Sequence, residues 1–253
     1  MRKFIKSILP QFIVLKIQAL KNKNHLKNID LRYTNKVSEE IFSDIYEKTW
    51  FDENNKKYKT KKFNSGPGSW EPIFVEPYIK SLGNFFKNLE KKPVIIDLGC
   101  GDFNIGSKLI KYSQKYIGCD VVPSLIEFNK NNFFNSKLKF KFLDISKDSI
   151  PEGNIVLIRQ VLQHLSNKDI EGFLKNLYKN KPDYLIVTET IPREDFIPNL
   201  DQPTGPFSRI ARYINSGVVL HESPFDLKYL SMDVLCNSND KDILVQTICY
   251  KLK

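Results

Sequence analysis

The sequence predicts an α/β fold in which a doubly wound, mostly parallel sheet is closed by an antiparallel hairpin. From Pro93 onward, short apolar runs alternate with stretches of helical spacing, which is typical of strands joined by crossover helices. The apolar runs that predict parallel strands are residues 94–98, 115–121, 138–143, 154–159 and 184–189. Two later runs, 230–237 and 242–252, predict the hairpin around the turn Ser238-Asn239-Asp240, so we expect seven strands.

The chain divides by composition into three parts. Residues 1–35 form a basic extension, residues 36–92 form a helical region that leads into the sheet, and residues 93–253 hold the strands. The stretch 190–223 within the last part is rich in proline and has no periodicity. A long irregular segment inside a compact domain is commonly functional, so we expect this loop to bind the substrate.

Two helices are predicted before the first strand. Residues 36–50 and residues 72–90 both have apolar residues at helical spacing. Between them, residues 51–70 are polar and lysine-rich and end in Ser65-Gly66-Pro67-Gly68-Ser69-Trp70, which predicts a loop.

The composition is that of a globular cytoplasmic protein. Hydrophobic residues make up 41% of the chain and charged residues 27%, which suits a water-exposed surface around a full core. The four cysteines contain no C-x-x-C pair, so we expect reduced thiols and neither disulfides nor a metal site. These cysteines are Cys100, Cys119, Cys236 and Cys249.

The positive charge is concentrated in the N-terminal extension. The 253 residues carry a formal net charge of +10, and residues 1–36 hold nine basic residues against one acid, Asp30. The remaining residues therefore carry only +2, which disfavours a long basic track for nucleic acid.

The extension also has an amphipathic pattern. Its apolar stretch Phe4–Leu20 is interrupted by polar residues and is too polar to span a bilayer. Two interpretations of this helix remain open. Residues 1–28 could lie peripherally on the anionic inner membrane surface, or the helix could pack on the domain or on a neighbouring subunit.

The segment Val94–Asp102 is an apolar strand that runs into a glycine turn. Gly99 and Gly101 would let the backbone pass close to a ligand, where a side chain would collide. With Gly106, the spacing is G-x-G-x-x-x-x-G, which differs from the G-x-G-x-x-G of dinucleotide-binding enzymes. Taken alone, the turn also fits an ordinary connection between a strand and a helix.

Acidic residues mark the carboxyl ends of the first three predicted strands. They are Asp97, Asp120 and Asp144, the last followed by Ile145. Parallel strands bring these ends to one edge of the sheet, where open α/β sheets bind their ligands. There Asp120 can accept both hydroxyls of a ribose, while Asp144 and Ile145 can hold an adenine. Each acid alone also fits a cap or a turn, but the ordered series is difficult to obtain by chance.

These segments resemble motifs I, II and III of class I S-adenosylmethionine (SAM)-dependent methyltransferases. The chain is similar to a bacterial subgroup whose members are often linked to surface polysaccharide, some of them to capsule phosphoramidate assembly. The segments that carry the second resemblance are Ser65–Ser69, Cys100–Asn104, Tyr116–Ile126 and His164–Ser166. The resemblance implies a seven-stranded Rossmann-like sheet, a cytoplasmic enzyme and SAM as the cofactor.

The resemblance also implies a role for each matching residue. The implied cofactor-binding residues are Gly99 and Gly101, with Cys100 between them, at the methionine part, Asp120 at the ribose, Asp144 and Ile145 at the adenine, and Arg159 and Gln160 beside the sulfonium. Asp97 is also implied, and its role stays open between the cofactor itself and the backbone N–H groups of the glycine turn.

The acceptor side has weaker signals. His164, shortly after the fourth strand, is the candidate general base for a hydroxyl acceptor, and helix capping is its alternative role. A phosphate or phosphoramidate oxygen would need cationic donors instead of a base, and the loop 190–223 offers arginines. The candidate substrate-binding residues are Trp70, Glu76, Arg193, Arg209, Arg212 and His221, each of which also fits packing or an ion pair.

The sequence therefore predicts a SAM-dependent O-methyltransferase. We expect a small-molecule or a nucleotide- or carrier-linked sugar acceptor, with a sugar or phosphoramidate group of capsular or surface polysaccharide as the methylated group. An RNA methyltransferase is the alternative, although Ile158-Arg159-Gln160-Val161 lacks the Asn/Asp-Pro-Pro-aromatic motif of base-amino methyltransferases. The intact acid series disfavours an inactive protein of this fold, and the glycine spacing disfavours an NAD(P)-dependent enzyme.

Overall fold

The computed structural model describes residue 27 and residues 30–47, 62–193, 195–211, 214–240 and 243–253. The chain forms two compact units, Met1–Lys36 and Val37–Lys253. In the first unit, residues 30–33 are helical, and the Thr34 N–H and hydroxyl both donate to the Asp30 carbonyl at 2.9 Å. The amphipathic pattern of Phe4–Leu20 lies outside the described residues, so membrane contact through residues 1–28 stays a prediction.

Six α-helices are described in the second unit. They are α1 (Ser38–Glu47), α2 (Pro67–Trp70), α3 (Pro72–Lys87), α4 (Gly106–Leu109), α5 (Pro123–Asn132) and α6 (Asn167–Asn180), with 3-10 helices at Ile110–Tyr112 and Leu162–His164. The helices predicted over residues 36–50 and 72–90 are confirmed as α1 and α3. The predicted loop 51–70 is wrong at its end, because its last four residues form α2. A proline starts this short helix, and its fixed φ suits a first helical position.

Seven strands form the sheet. They are β1 (Val94–Leu98), β2 (Lys115–Asp120), β3 (Leu138–Phe142), β4 (Ile155–Arg159), β5 (Tyr184–Pro192), β6 (Ser231–Asp240) and β7 (Ile243–Lys251). Their order is β3-β2-β1-β4-β5-β7-β6, and β7 lies antiparallel to both β5 and β6 while the other pairs are parallel. This confirms the predicted doubly wound, mostly parallel, Rossmann-like sheet with its C-terminal antiparallel hairpin.

Helices cover both faces of the central strands. Ile96 and Leu98 of β1 pack in one apolar cluster with Phe173 of α6, whereas Ile95 packs in another with Leu82 of α3. Alternate residues of a strand point to opposite faces, so both sets must be apolar. This is why the parallel strands are continuous apolar runs in the sequence.

Two boundaries near the C-terminus differ from the sequence prediction. The turn predicted at Ser238–Asp240 is wrong, because β6 continues through Asp240, which pairs with Ile243. β5 also extends past residue 189 to Pro192, since β7 pairs along its whole length. The described residues between Pro192 and Ser231 are irregular, as expected for most of the loop 190–223. No helix in the described ranges is long and apolar enough to cross a membrane.

Candidate functional site

The glycine turn after β1 has the backbone conformation that glycine favours. Gly99 and Gly101 have φ values of +70° and +55°. A Cβ atom added at Gly99 would lie 2.4 Å from Val161 Cγ2, and one at Gly101 would lie 2.3 Å from Ser65 Oγ. From the sequence, these glycines predict a ligand that approaches the backbone closely. In the structure, neighbouring side chains of the protein already require them.

Asp102 connects the glycine turn to the segment before α2. Its Oδ2 accepts hydrogen bonds from Ser65 N at 3.0 Å and from Trp70 Nε1 at 2.7 Å. In return, Ser65 Oγ accepts from Asp102 N at 2.8 Å and lies 3.1 Å from the Tyr46 hydroxyl. Asp102 was not predicted as a functional residue. Its buried carboxylate fastens Ser65–Trp70 over the turn, and only the adjacent CGDFN pattern pointed to it.

The three acids at the strand ends line one cavity of about 430 Å³. The Tyr116 hydroxyl donates to Asp97 Oδ2 at 2.8 Å. Asp120 accepts from Gly101 N at 3.0 Å and from Val122 N at 3.2 Å. Each of these carboxylates is therefore oriented by a nearby donor of the protein while it borders the cavity.

Asp144 is held by its own turn. It accepts hydrogen bonds from the Ser146 backbone N–H at 3.0 Å and hydroxyl at 2.7 Å, and it forms an ion pair with Lys147 at 3.2 Å. The next residue, Ile145, is buried and lines the same cavity, as do Val121 and Leu143. Asp144 and this apolar group thus lie on the same cavity wall, and their role at an adenine stays a prediction.

Burial affects the three acids differently. It raises the pKa of Asp97 to about 6, although the hydrogen bond from Tyr116 lowers it. It also raises the pKa of Asp120 to about 6, against the opposing effect of the backbone N–H groups. For Asp144, partial burial raises the pKa, but hydrogen bonds from Ser146 and Lys147 outweigh this and hold it below its usual value. Asp97 and Asp120 would therefore gain from a ligand that donates hydrogen bonds to them.

Helix α1 contributes to the cavity wall, which the sequence did not predict. Ser38, Phe42 and Tyr46 line the cavity together with Ser65–Ser69. The sequence placed Phe42 and Tyr46 on one helical face, but helical spacing alone does not distinguish a ligand-facing stripe from a packing stripe. Trp70, predicted to bind the substrate, is absent from the described cavity lining, and its indole N–H donates to Asp102.

The end of β4 places Arg159 and Gln160 on the cavity wall. Arg159 Nη2 donates to the Gly68 carbonyl at 2.7 Å, and Nη1 donates to Gln160 Oε1 at 3.0 Å. The guanidinium lies over the Tyr78 ring at 4.9 Å. Gln160 has a φ of +53° and donates to Thr190 Oγ1 at 3.1 Å, so its side chain is aligned across β4 and β5.

The 3-10 helix Leu162–His164 is held at both ends by buried polar side chains, Glu189 and Arg209. Burial raises the pKa of Glu189 to about 8, although Arg209 lowers it. At its start, the Glu189 carboxylate accepts from Leu162 N at 3.1 Å and from Gln163 N at 3.0 Å. At its end, Arg209 donates to the carbonyls of Leu162 at 3.3 Å and Leu165 at 3.2 Å. An acid at the N-terminus and a cation at the C-terminus of a helix both oppose its dipole favourably.

His164 lies on this 3-10 helix and lines the cavity. Its carbonyl accepts a hydrogen bond from Gly205 N at 3.0 Å, which fastens the irregular loop to the same turn. Burial lowers the pKa of the imidazole to about 4, and Arg209 lowers it further. The ring is therefore neutral at physiological pH, which a proton acceptor requires. Its predicted role as a base remains a prediction.

Several predicted acceptor residues need correction. Arg209 is 1% exposed, and its guanidinium donates to Leu200 O at 2.9 Å and to Asn167 Oδ1 at 2.8 Å. Because these donors are directed at the protein, Arg209 does not offer a pair of N–H groups to a phosphate. His221 Nδ1 lies 2.9 Å from the Tyr250 hydroxyl. Glu76 and Arg193 are exposed. None of these four is among the described cavity-lining residues. Arg212 lies outside the described residues.

No group of three or more histidine, cysteine or acidic residues in the described part of the chain could hold a metal ion. The buried thiols of Cys100 and Cys119 are free, and burial raises their pKa values. Cys100 lines the cavity beside Gly101, where it contributes a small apolar surface.

Comparison with known proteins agrees with this geometry. Residues 95–180 match the protein-family model described as a methyltransferase domain. The N-methyltransferase NodS from Bradyrhizobium japonicum WM9, solved with S-adenosyl-L-homocysteine (SAH), has a similar fold with a TM-score of 0.54. It is 13% identical, and the similarity covers 72% of this chain and 89% of NodS.

Two curated relatives match only part of the chain. They are aspartate–tRNA(Asp/Asn) ligases from Borreliella afzelii (strain PKo), 31% identical over 132 residues, and from Borrelia garinii subsp. bavariensis, 32% identical over 134 residues. Each match covers 51% of this chain and 21% of the ligase, so the chain spans about a fifth of the length of these relatives.

The sheet order and the acids at its carboxyl edge define a class I methyltransferase fold. The methyltransferase-domain match coincides with β1 to α6, the region that carries these acids. Residues 95–180 thus match a methyltransferase domain, and the sheet has the fold of a SAM-dependent methyltransferase. The residues present fit SAM. Asp120 would hold the ribose, Asp144 and Ile145 the adenine, and Asp97 the region of the methionine ammonium.

Proposed function

We propose that this protein is a SAM-dependent methyltransferase that methylates an oxygen atom of a small or carrier-linked acceptor, and that the acceptor is a sugar or phosphoramidate group of surface polysaccharide. The observation that supports an oxygen acceptor is the polar cavity wall beyond β4 and β5. Gln160, Gln163, His164 and Thr190 line it, and none carries a negative charge. Such groups can hydrogen-bond hydroxyl and phosphoryl oxygens.

When bound, SAM supplies an activated methyl group on a positively charged sulfur. The protein has to align the acceptor oxygen with that methyl group and exclude water. Neutral His164, on the cavity wall, would take the proton from a hydroxyl acceptor. A phosphoramidate oxygen is already anionic and would need no base, only donors to orient it.

The polysaccharide assignment has a separate basis. It depends on the resemblance of Ser65–Ser69, Cys100–Asn104 and His164–Ser166 to a bacterial subgroup linked to surface polysaccharide. The first two of these segments are joined through Asp102, and the third begins at the last residue of the 3-10 helix on the acceptor side. Peripheral membrane contact through residues 1–28 would bring the enzyme to carrier-linked acceptors. Liposome sedimentation of the full chain and of a chain lacking these residues tests that contact.

An acceptor screen tests the proposed reaction. Candidate sugars, sugar nucleotides and phosphoramidates are incubated with the protein and SAM, and the products are searched for the mass of one added methylene unit. His164→Ala should lower turnover of a hydroxyl acceptor by about 10²- to 10⁴-fold, because a positioned base contributes that much. SAH affinity should not change.

The matched control is His221→Ala, since His221 lies beside Tyr250 and outside the described cavity lining. It should retain full turnover. Full activity of His164→Ala on a hydroxyl acceptor would remove His164 from the mechanism. Methylation of nitrogen, as in the name of NodS, would reject the oxygen acceptor.

RNA is the second candidate acceptor. The partial similarity to aspartate–tRNA ligases favours it. The charge distribution opposes it, because residues 37–253 carry only +2 of the net +10. Including bulk tRNA in the screen decides between the two, and methyl incorporation into tRNA that outcompetes every sugar would favour RNA.

A further inference from the structure

Arg159 is the one lysine or arginine among the described residues that line the cavity. The other formal charges on that wall belong to Asp97, Asp120 and Asp144. Arg159 ends β4, on the opposite side of β1 from β2 and β3, which carry the latter two acids. The cavity thus has a cluster of carboxylates along one part of its wall and a single guanidinium along another.

The hydrogen-bonding partners of this guanidinium are all neutral. Nη2 donates to the Gly68 carbonyl, Nη1 donates to the Gln160 side chain, and the planar group lies over the Tyr78 ring. Arg159 Nε is buried and has no hydrogen-bond partner among the described residues. These contacts fix the orientation of the group without neutralising its charge.

Two acids that interact electrostatically with Arg159 accept their hydrogen bonds from other groups. Asp97 accepts from the Tyr116 hydroxyl, and Glu189 accepts from the start of the 3-10 helix Leu162–His164. Within the described part of the chain, Arg159 makes no ion pair with any carboxylate. The Arg159 side chain is partly buried, with its Nε atom shielded from water. A charge in such a place is costly without a counter-ion, and arginine does not escape this cost by losing its proton. An anionic group in the cavity would remove it.

We infer that Arg159 is the anion-binding residue of this cavity and that it binds a carboxylate or phosphoryl group of a ligand. Two ligands can supply that group. One is the cofactor, whose methionine part carries a carboxylate, and the other is an acidic acceptor. Only the second possibility, binding of an acidic acceptor, depends on the proposed function. The three aspartates cannot fill this role, because they repel an anion.

Binding measurements on Arg159→Gln test the inference without any methyl transfer. Titration calorimetry with SAH and with methylthioadenosine compares two ligands that share the adenosine and the sulfur, of which only SAH has the amino acid part. Titration of inorganic phosphate into SAH-saturated protein measures the acceptor arm. Arg193→Gln is the matched control, because Arg193 is exposed and outside the described cavity lining. Arg159→Lys keeps the positive charge but removes the paired N–H donors of the guanidinium.

If the cofactor supplies the anion, Arg159→Gln should weaken SAH binding by roughly 10- to 100-fold, which is the range for lost hydrogen bonds to a charged group. Methylthioadenosine binding should not change, and Arg159→Lys should lie between glutamine and wild type. If the acceptor supplies the anion, both adenosine ligands should bind normally and the variant should lose phosphate binding that wild type shows. Unchanged binding of all three ligands would overturn the inference. An equal loss of SAH and methylthioadenosine would also overturn it, since the role would then be structural.

Discussion

The two sides of the cavity are fixed in different ways. On the side of β1, β2 and β3, the acids sit at strand ends and are oriented by donors of the same strands and the turns that follow them, such as Tyr116 for Asp97, Val122 for Asp120 and Ser146 for Asp144. On the side of β4 and β5, the walls are irregular, and Arg209 holds the turn at residues 162–165 from the distant loop. A sheet positions its own edge, whereas an irregular wall needs dedicated buried polar groups to satisfy its backbone.

Substitutions on the cofactor side and on the acceptor side should therefore affect SAH binding and turnover separately. A change in the buried charges that hold the 3-10 helix should disturb turnover and stability more than SAH binding. A change at a strand-end acid should do the reverse. The following variants test this separation.

Arg209→Met should have the largest effect. The substitution leaves the carbonyls of Leu162, Leu165 and Leu200 without their donor in a buried site. Each buried carbonyl left unsatisfied costs about 1–3 kcal/mol of unfolding free energy. Urea unfolding measures that loss, and we expect turnover to disappear at temperatures where the variant is still folded and binds SAH.

The exposed Arg193 provides the control, and Arg193→Met should leave the unfolding midpoint unchanged. If Arg209 instead bound an acceptor phosphate, as the sequence suggested, Arg209→Met would raise the acceptor KM without changing stability. That result would contradict the contacts of Arg209 with the 3-10 helix.

Asp120→Asn tests the cofactor side. The amide cannot accept two charge-assisted hydrogen bonds from a ribose, so SAH affinity should fall by about 100-fold. The unfolding free energy near neutral pH should change little, because burial raises the pKa of Asp120 and makes its charged form costly in the folded protein. Calorimetry and urea unfolding measure the two quantities. Asp233→Asn on the exposed strand β6 should change neither, and a large stability loss in Asp120→Asn would show a structural role.

The sequence predicted the cofactor side more completely than the acceptor side for a physical reason. Asp97, Asp120 and Asp144 follow apolar strands whose period and order place them at one edge of the sheet. Nothing comparable constrains a proline-rich loop. An arginine there fits a ligand, a surface ion pair or a buried hydrogen-bonding role equally well, and only the packing around Arg209 selects the last.

The roles of Glu189 and Asp102 could not be predicted from the sequence for a similar reason. Glu189 lies inside β5, where its side chain looks like a break in an apolar run and gives no hint of the 3-10 helix that it holds. Asp102 was part of a recognised pattern, but its partners Ser65 and Trp70 are more than 30 residues away. Long-range side-chain hydrogen bonds leave no periodic signal in one sequence.

Glu189→Gln should have an intermediate effect on the acceptor side. A glutamine offers one acceptor oxygen where the carboxylate serves two backbone N–H groups, so Leu162 N or Gln163 N loses its partner. The cost of one buried unsatisfied donor is about 1–3 kcal/mol. We expect lower turnover with unchanged SAH affinity, because the 3-10 helix that carries His164 loses its fixed orientation. Glu171→Gln on the exposed face of α6 is the control, and equal turnover of the two variants would contradict this role.

The smallest predicted effect is a pH dependence that belongs to the cofactor side alone. Burial raises the pKa values of Asp97 and Asp120 to about 6, so each is half protonated there and SAH should bind about two- to fourfold more weakly at pH 6 than at pH 7.5. Asp144 keeps a lowered pKa, and His164, with a pKa of about 4, stays neutral across this range, so neither adds to the pH dependence of SAH binding.

The pH dependence of folding stability has the opposite sign. A raised carboxyl pKa means that the folded protein holds the proton more tightly, so the stability of the free protein should fall as pH rises from about 4 to 6. Glu189, whose pKa burial raises to about 8, should continue this fall above pH 6. Calorimetry of SAH binding at each pH, compared with thermal unfolding of the free protein, separates the two signs. Asp120→Asn should flatten both curves, and a binding curve with the same slope in that variant would assign the titration to another group.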